Sequence, residues 1–206
     1  LDKENPKIAQ GLAVDVNNFL IRLLENNLGN HDKWLTYCQQ IRKKIPIVEA
    51  GINEINEMYV SPHELVSKLS IITKESDVII PCSSGGAFTM TMQVFEQQYG
   101  QKLVTNKSLA SMGYGLSGAI GASISNPDKR IILIEGDGGF AQNLQEIGTA
   151  VINNCNIKVF IFDDRGYASI RMTQRSYFKG NYVGCDLETG LGLPKYYEWR
   201  SRSGCT

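Results

Sequence analysis

The chain has 206 residues, 42% of them hydrophobic and 20% charged, which is apolar enough to bury a core and excludes a disordered or fibrous chain. Lysine and arginine total 21, as do aspartate and glutamate, so the net charge is zero and no basic excess exists to hold a nucleic-acid backbone. The uninterrupted apolar runs, at 131–134 and 159–162, are strand-sized and far short of the roughly 20 residues of a membrane helix; neither nucleic acid nor membrane is expected as a partner.

Val16, Phe19, Leu20, Leu23 and Leu24 recur at helical spacing up to Gly29, and 34–44 gives a second short helix before Pro46. The stretch 45–59 reads as a connector, which puts a domain boundary near residue 58. A helix follows, with Ser61 as N-cap, Pro62 at its first position, Glu64 in the first turn and Leu65, Leu69 and Ile72 as its apolar face. Beyond it short apolar runs alternate with amphipathic stretches: strands over 78–81, 103–105, 130–135 and 158–163, helices over 86–98, 113–125, 143–153 and 167–178. Successive strand–helix units of this length predict an α/β fold, a doubly wound, mostly parallel sheet with helices on both faces. Ligands of such sheets sit beyond the carboxyl ends of the strands, which directs attention to the loops 82–86, 106–112, 136–142 and 164–168.

Five cysteines (Cys38, Cys82, Cys155, Cys185, Cys205), odd in number and without a CxxC pair, read as reduced thiols in a cytoplasmic protein. The opening residues Leu1-Asp2-Lys3-Glu4 carry no methionine and no secretory pattern, and the chain reads as a piece of a longer protein.

The sharpest motif is Gly136-Asp137-Gly138-Gly139 at one strand end, with Asp164 following 27 residues later in Asp163-Asp164-Arg165-Gly166 at the next. Two carboxylates at one sheet edge suit a hard cation such as Mg²⁺, which takes oxygen ligands at about 2.0–2.1 Å and shares them with substrate phosphates. The glycines let a phosphate approach the backbone, and the following helix offers its free N–H groups. On spacing alone, Asp137 and Asp164 fit equally well as helix caps or turn residues.

Gly-Asp-Gly followed at this distance by a paired polar dipeptide resembles the thiamine diphosphate motif of the acetolactate synthase-like enzymes. Met112-Gly113-Tyr114-Gly115 lies 25 residues before Asp137, and 140–146 resembles the family's segment ending in Gln-Glu. Residues 60 to 178 resemble the family's diphosphate-binding domain, and residues 1 to about 30 the tail of its central domain. The expected domains are accordingly 1–58, tail and connector, and 59–206, the diphosphate-binding domain, shortened at its C-terminus.

The resemblance implies thiamine diphosphate and Mg²⁺ as cofactors. Asp137, Asp164 and the backbone carbonyl of Gly166 would ligate the metal. Gly136, Gly138, Gly139, Tyr167 and Ala168 would surround the diphosphate, the amides of Gly138, Gly139, Tyr167 and Ala168 cradling it. Ser84, Gly85, Gly86 and Ser111 would line the cofactor, and Met112 would support its rings and bend them toward each other. From the residues alone, Met112 fits core filler as well. Two departures stand out: the family usually has asparagine in the Asp163-Asp164 dipeptide, and Gly86-Ala87 replace a Gln-His pair. The implied reaction is decarboxylation or carboligation of a small 2-keto acid. The implied partner is a pyrimidine-binding domain, from the full-length protein or a second subunit, which supplies the activating glutamate in a homodimer or homotetramer; the fragment by itself is expected to be inactive. Other readings are a noncatalytic or regulatory paralogue, and a Mg²⁺-dependent nucleotide-binding or receiver-like domain.

Gly113-Tyr114-Gly115-Leu116-Ser117-Gly118 also matches the dinucleotide fingerprint, but the preceding strand ends too early for the tight turn that fingerprint needs. His31 and His63 have no metal-ligand spacing to a partner, and Arg165, Arg171 and Arg175 read first as a solvated face, with an anionic substrate contact as the alternative.

Overall fold

A computed structural model describes residues 11–26, 29–53, 59–106 and 108–196. Cys205, the opening residues 1–4 and part of the expected connector lie outside them. The backbone divides into two compact units, Leu1–Pro46 and Ile47–Thr206. The first holds α1 (Val16–Leu24), whose first turn Asp15 caps by accepting the Asn18 N–H at 3.0 Å, and α2 (Asp32–Lys44). Neither helix buries a residue.

The second unit begins with α3 (Pro62–Ile72), where Ser61 Oγ accepts the Glu64 N–H at 3.4 Å and Pro62 opens the helix, as the sequence suggests. Its buried stripe is Val66, Leu69 and Ser70, continued by Thr73, while Ile72 is 64% exposed. The expected apolar face is corrected there because the stripe carries polar contacts. Ser70 Oγ accepts the Glu96 N–H at 3.0 Å, Gln98 Nε2 donates to the Ser70 and Thr73 carbonyls at 3.0 Å, and Gln101 Nε2 donates to Thr73 Oγ1 at 3.1 Å. The same bonds end α4 (Gly85–Val94) four residues before the expected 98.

Strands β1 (Val78–Ile80), β2 (Lys102–Leu103), β3 (Ile131–Gly136) and β4 (Ile157–Phe162) form one sheet in the order β2-β1-β3-β4, every pair parallel. Val78 pairs with Lys102 on one side and Ile131 on the other, and Gly136 pairs with Phe162. Alternate residues face opposite layers. Val78, Ile80, Ile131 and Leu133 pack with Leu116, Ala119 and Ile120 of α5 (Tyr114–Ser125) and with Phe140; Ile79, Ile132 and Ile134 pack with Leu69, Ala87 and Phe88 of α3 and α4. The expected helix over 143–153 divides into a 3-10 turn, Leu144–Glu146, and α7 (Ile147–Ile152), preceded by α6 (Asp137–Ala141). Helix α8 (Ala168–Tyr177) follows β4. No helix among the described residues is long and apolar enough to cross a membrane, and Cys38, Cys82, Cys155 and Cys185 are free thiols.

The chain leaves β1 toward β2 on one side and passes to β3 on the other. The carboxyl ends of β1 and β3 therefore flank the topological switch point, where a crevice opens in sheets of this type.

Candidate functional site

Strand β3 ends at Gly136 and α6 starts immediately, so Asp137 stands at the mouth of the sheet and is 2% exposed. Its Oδ1 accepts the Gly138 N–H at 2.7 Å and its Oδ2 the Gly166 N–H at 2.8 Å, while Tyr196 Oη donates to its carbonyl at 2.8 Å. One carboxylate thus ties the loop after β3 to the loop after β4. Burial pushes its pKa up to about 6; the Gly166 N–H opposes this and the charges of Asp164 and Asp163 add to it.

Asp164 lies in the loop after β4, where Arg171 of α8 grips it. Arg171 Nη2 is 3.2 Å from Asp164 Oδ1 and donates to the Asp164 carbonyl at 2.9 Å, and Nη1 donates to the Cys185 carbonyl at 3.2 Å. Burial raises the Asp164 pKa against the pull of Arg171. The loop is shaped by Gly166, at φ +143°, where a Cβ would fall 2.2 Å from the Cys185 carbonyl oxygen. That carbonyl also accepts the Tyr167 N–H at 2.8 Å. The segment behind it is braced by Thr189, whose N–H and hydroxyl donate to Asp186 Oδ1 at 3.0 and 2.7 Å and hold the Asp186 pKa below its usual range.

Gly138 lies against the Tyr167 ring, so that a Cβ there would meet Cε1 at 2.2 Å. Asp137, Gly138, Gly166 and Tyr167 are therefore in direct contact. Of the amides that the resemblance assigns to the diphosphate, those of Gly138 and Tyr167 are bonded to Asp137 and Cys185, and that of Ala168 lies against Asp164 and lowers its pKa.

The other loops meet at Ser111 and Met112. Ser83 Oγ donates to the Ser111 carbonyl at 2.6 Å, joining the loop after β1 to the loop after β2. Ser84 is the N-cap of α4, Gly85 adopts φ +73°, and a Cβ at Gly85 or Gly86 would meet open space. Asn143 Nδ2 donates to the Gly113 carbonyl at 2.8 Å and to Ser117 Oγ at 2.9 Å. Met112 is 37% exposed, and Gln142 Nε2 donates to its sulfur at 3.6 Å. It belongs to neither core cluster, so core filling does not account for it.

The glycines of the dinucleotide-like run serve packing. A Cβ at Gly115 would lie 1.9 Å from Glu135 Oε2 and one at Gly118 would lie 2.9 Å from the Tyr114 ring. Arg171, which from the sequence reads first as a solvated face with an anionic substrate contact as the alternative, instead binds Asp164 and the Cys185 carbonyl, and neither Glu135 nor Tyr196 is among the residues the sequence pattern assigns to the site. For Glu135 a signal was present, an acid closing the aliphatic run Ile131-Ile132-Leu133-Ile134. For Tyr196, 59 residues from Asp137, no local pattern existed.

No group of three or more His, Cys, Asp or Glu among the described residues could hold a metal by itself. Asp137 and Asp164 bring two carboxyl groups to one edge of the sheet, where the charge of Asp163 also acts on Asp137. Such a set suits a hard divalent cation whose remaining ligands are ligand phosphates and water.

Fold and site together define an α/β domain whose parallel sheet gathers acidic and glycine-rich loops at its carboxyl edge, the edge at which such sheets bind cofactors. The family model described as thiamine pyrophosphate enzyme, C-terminal TPP binding domain, matches residues 84–198, more than half of the chain, which belongs to that family. Among its relatives is the acetolactate synthase large subunit of Cyanidium caldarium, 28% identical over 83% of this chain and 29% of that protein. The probable acetolactate synthase large subunit of Methanococcus aeolicus is 27% identical over 74% of this chain and 26% of its own. Acetolactate synthase isozyme 2 large subunit of Escherichia coli (strain K12) is 26% identical over 80% and 29%. The chain spans less than a third of the length of these relatives.

Proposed function

We propose that this domain anchors thiamine diphosphate through Mg²⁺ in an enzyme that decarboxylates a small 2-keto acid or transfers the resulting unit, a lyase or transferase. The observation that carries the metal assignment is the meeting of the Asp137 and Asp164 loops at the carboxyl ends of β3 and β4, next to the switch point, with Gly166 bonded to Asp137. Asp137, Asp164 and the Gly166 carbonyl would hold the metal, with Gly136, Gly138, Gly139, Tyr167 and Ala168 around the diphosphate. Ser84, Gly85, Gly86 and Ser111 would line the crevice, and Met112, exposed at its rim, would support the rings. The bound cofactor supplies an electron sink for the carbanion left by decarboxylation.

The chain's own part is to orient and to concentrate charge. Raised carboxyl pKa values at Asp137 and Asp164 mark a site whose negative charge a cation would relieve. Arg171 holds the Asp164 loop in register, and the loop of Ser111 and Met112 is pinned by Ser83 and Asn143. Gly86-Ala87, in place of a Gln-His pair, removes a feature that would have pointed to the usual acetolactate synthase substrate. A pyrimidine-binding domain, from the same protein or a second subunit of a homodimer or homotetramer, would complete the cleft with its glutamate, in the cytoplasm; without it no turnover is expected. Calorimetry of thiamine diphosphate binding with Mg²⁺ and with EDTA tests the metal: binding only with Mg²⁺ is expected, and equal affinity in EDTA would refute the assignment.

A further inference from the structure

Strand β3 runs through four buried aliphatic residues, Ile131, Ile132, Leu133 and Ile134, and then places a carboxyl group in surroundings just as enclosed, since Glu135 is 4% exposed. Oε1 accepts the Gly136 N–H at 3.1 Å. Oε2 is buried and makes no hydrogen bond of good geometry, the Cys82 thiol and the Gly115 N–H lying near the carboxyl group without bonding Oε2 squarely. A buried acceptor without a well-formed hydrogen bond is destabilising, and an aliphatic residue continuing the strand would avoid that.

Two helices are shaped around this carboxyl group. A Cβ at Gly115, in the first turn of α5, would lie 1.9 Å from Oε2, and a Cβ at Gly139, in α6, would lie 2.6 Å from Oε1. Both positions need glycine because the carboxyl group occupies the space a side chain would take. Gly115 follows closely on Met112 and Gly139 on Asp137, so the carboxyl group fills the wedge between the loop that faces the cofactor rings and the loop that faces the metal and diphosphate. The carboxyl group itself is the spacer.

We propose that Glu135 is a positioning residue of the cofactor cradle: wedged between Gly115 and Gly139, it sets the spacing of the Met112 loop from the 136–139 loop so that rings and diphosphate are received together. This rests on the thiamine diphosphate reading of the site. Inorganic pyrophosphate would engage the 136–139 and 164–168 loops but not the Met112 loop, whereas thiamine diphosphate would span all three, so losing the wedge penalises the two ligands unequally.

The test is calorimetry of the protein in Mg²⁺ with each ligand, for wild type, Glu135→Gln, Glu135→Ala and Glu135→Asp. Glutamine fills the same volume and keeps an acceptor for Gly136, so its affinities are expected within about threefold of wild type for both ligands. Alanine empties the wedge, and is expected to weaken thiamine diphosphate at least about tenfold and pyrophosphate less than about threefold. Aspartate keeps the carboxyl group but withdraws it by one methylene; it is expected to give the same contrast and serves if the alanine variant does not fold. Equal losses for the two ligands, or a glutamine variant as weak as alanine, would overturn the proposal. A wild-type protein that binds pyrophosphate but not thiamine diphosphate, or neither, would instead overturn the cofactor reading and this proposal with it.

Discussion

Replacing Glu135 by glutamine should make the protein's stability less sensitive to a rise in pH from 5 to 8. Burial pushes the Glu135 carboxyl from 4.5 up to about 7, with the Gly136 N–H, the Cys82 thiol and the Gly115 N–H pulling it partly back. Between those values the folded protein holds a proton that the unfolded chain has released. The stability associated with that proton is full below 4.5 and is lost as the pH rises through about 7. Each pH unit of the interval is worth about 1.4 kcal/mol, so wild type should lose about 2–3 kcal/mol between pH 5 and pH 8 through this residue. For a domain of this size that is roughly 4–12 °C in Tm. Glutamine does not titrate and should remove that part of the slope. Asp137, pushed up to about 6, acts in the same direction and should leave a smaller slope in both proteins. The assay is thermal unfolding of both at pH 5 and pH 8 without divalent metal or cofactor. Parallel profiles would refute the reasoning, because they would mean that Glu135 is already ionised in the folded protein or sits in contact with water.

Asp137→Ala removes the acceptor of the Gly138 and Gly166 N–H groups and should abolish metal-dependent cofactor binding in calorimetry; wild-type affinity would refute its role. Asp164→Asn gives up a half-exposed ion pair with Arg171, so unfolding should register less than about 1 kcal/mol and Mg²⁺-dependent binding should survive. Gly138→Ala drives a methyl into the Tyr167 ring and should weaken thiamine diphosphate by about tenfold or more, whereas Gly86→Ala, facing open space, should change it less than about threefold. Met112→Ala, at a partly exposed position, should alter stability by about 0.5 kcal/mol or less while slowing thiazolium C2 proton exchange in the loaded enzyme; an unchanged exchange rate would remove Met112 from the ring-supporting role.

The strand–helix alternation, the parallel sheet and the loops at its carboxyl edge were legible in the sequence because they depend on local periodicity and on turn chemistry. Gly136-Asp137-Gly138-Gly139 announces a strand end whatever surrounds it. The Ser61-Pro62 cap is equally local, and α3 begins where it says. What the pattern misjudged were choices made by distant partners. Ile72 stays exposed because Ser70 and Thr73 are claimed by Glu96, Gln98 and Gln101, and those bonds also end α4 early. Arg171 looks like one cation of a surface helix until the fold brings the Asp164 and Cys185 carbonyls to its guanidinium. Tyr196 reaches Asp137 across 59 residues. Local spacing determines which residues carry carboxylates and glycines to the sheet edge. Only tertiary packing decides which amides those carboxylates bind, how far burial shifts their pKa values, and that Glu135 is enclosed between two helices, because desolvation and long-range hydrogen bonds depend on atoms far apart in the chain.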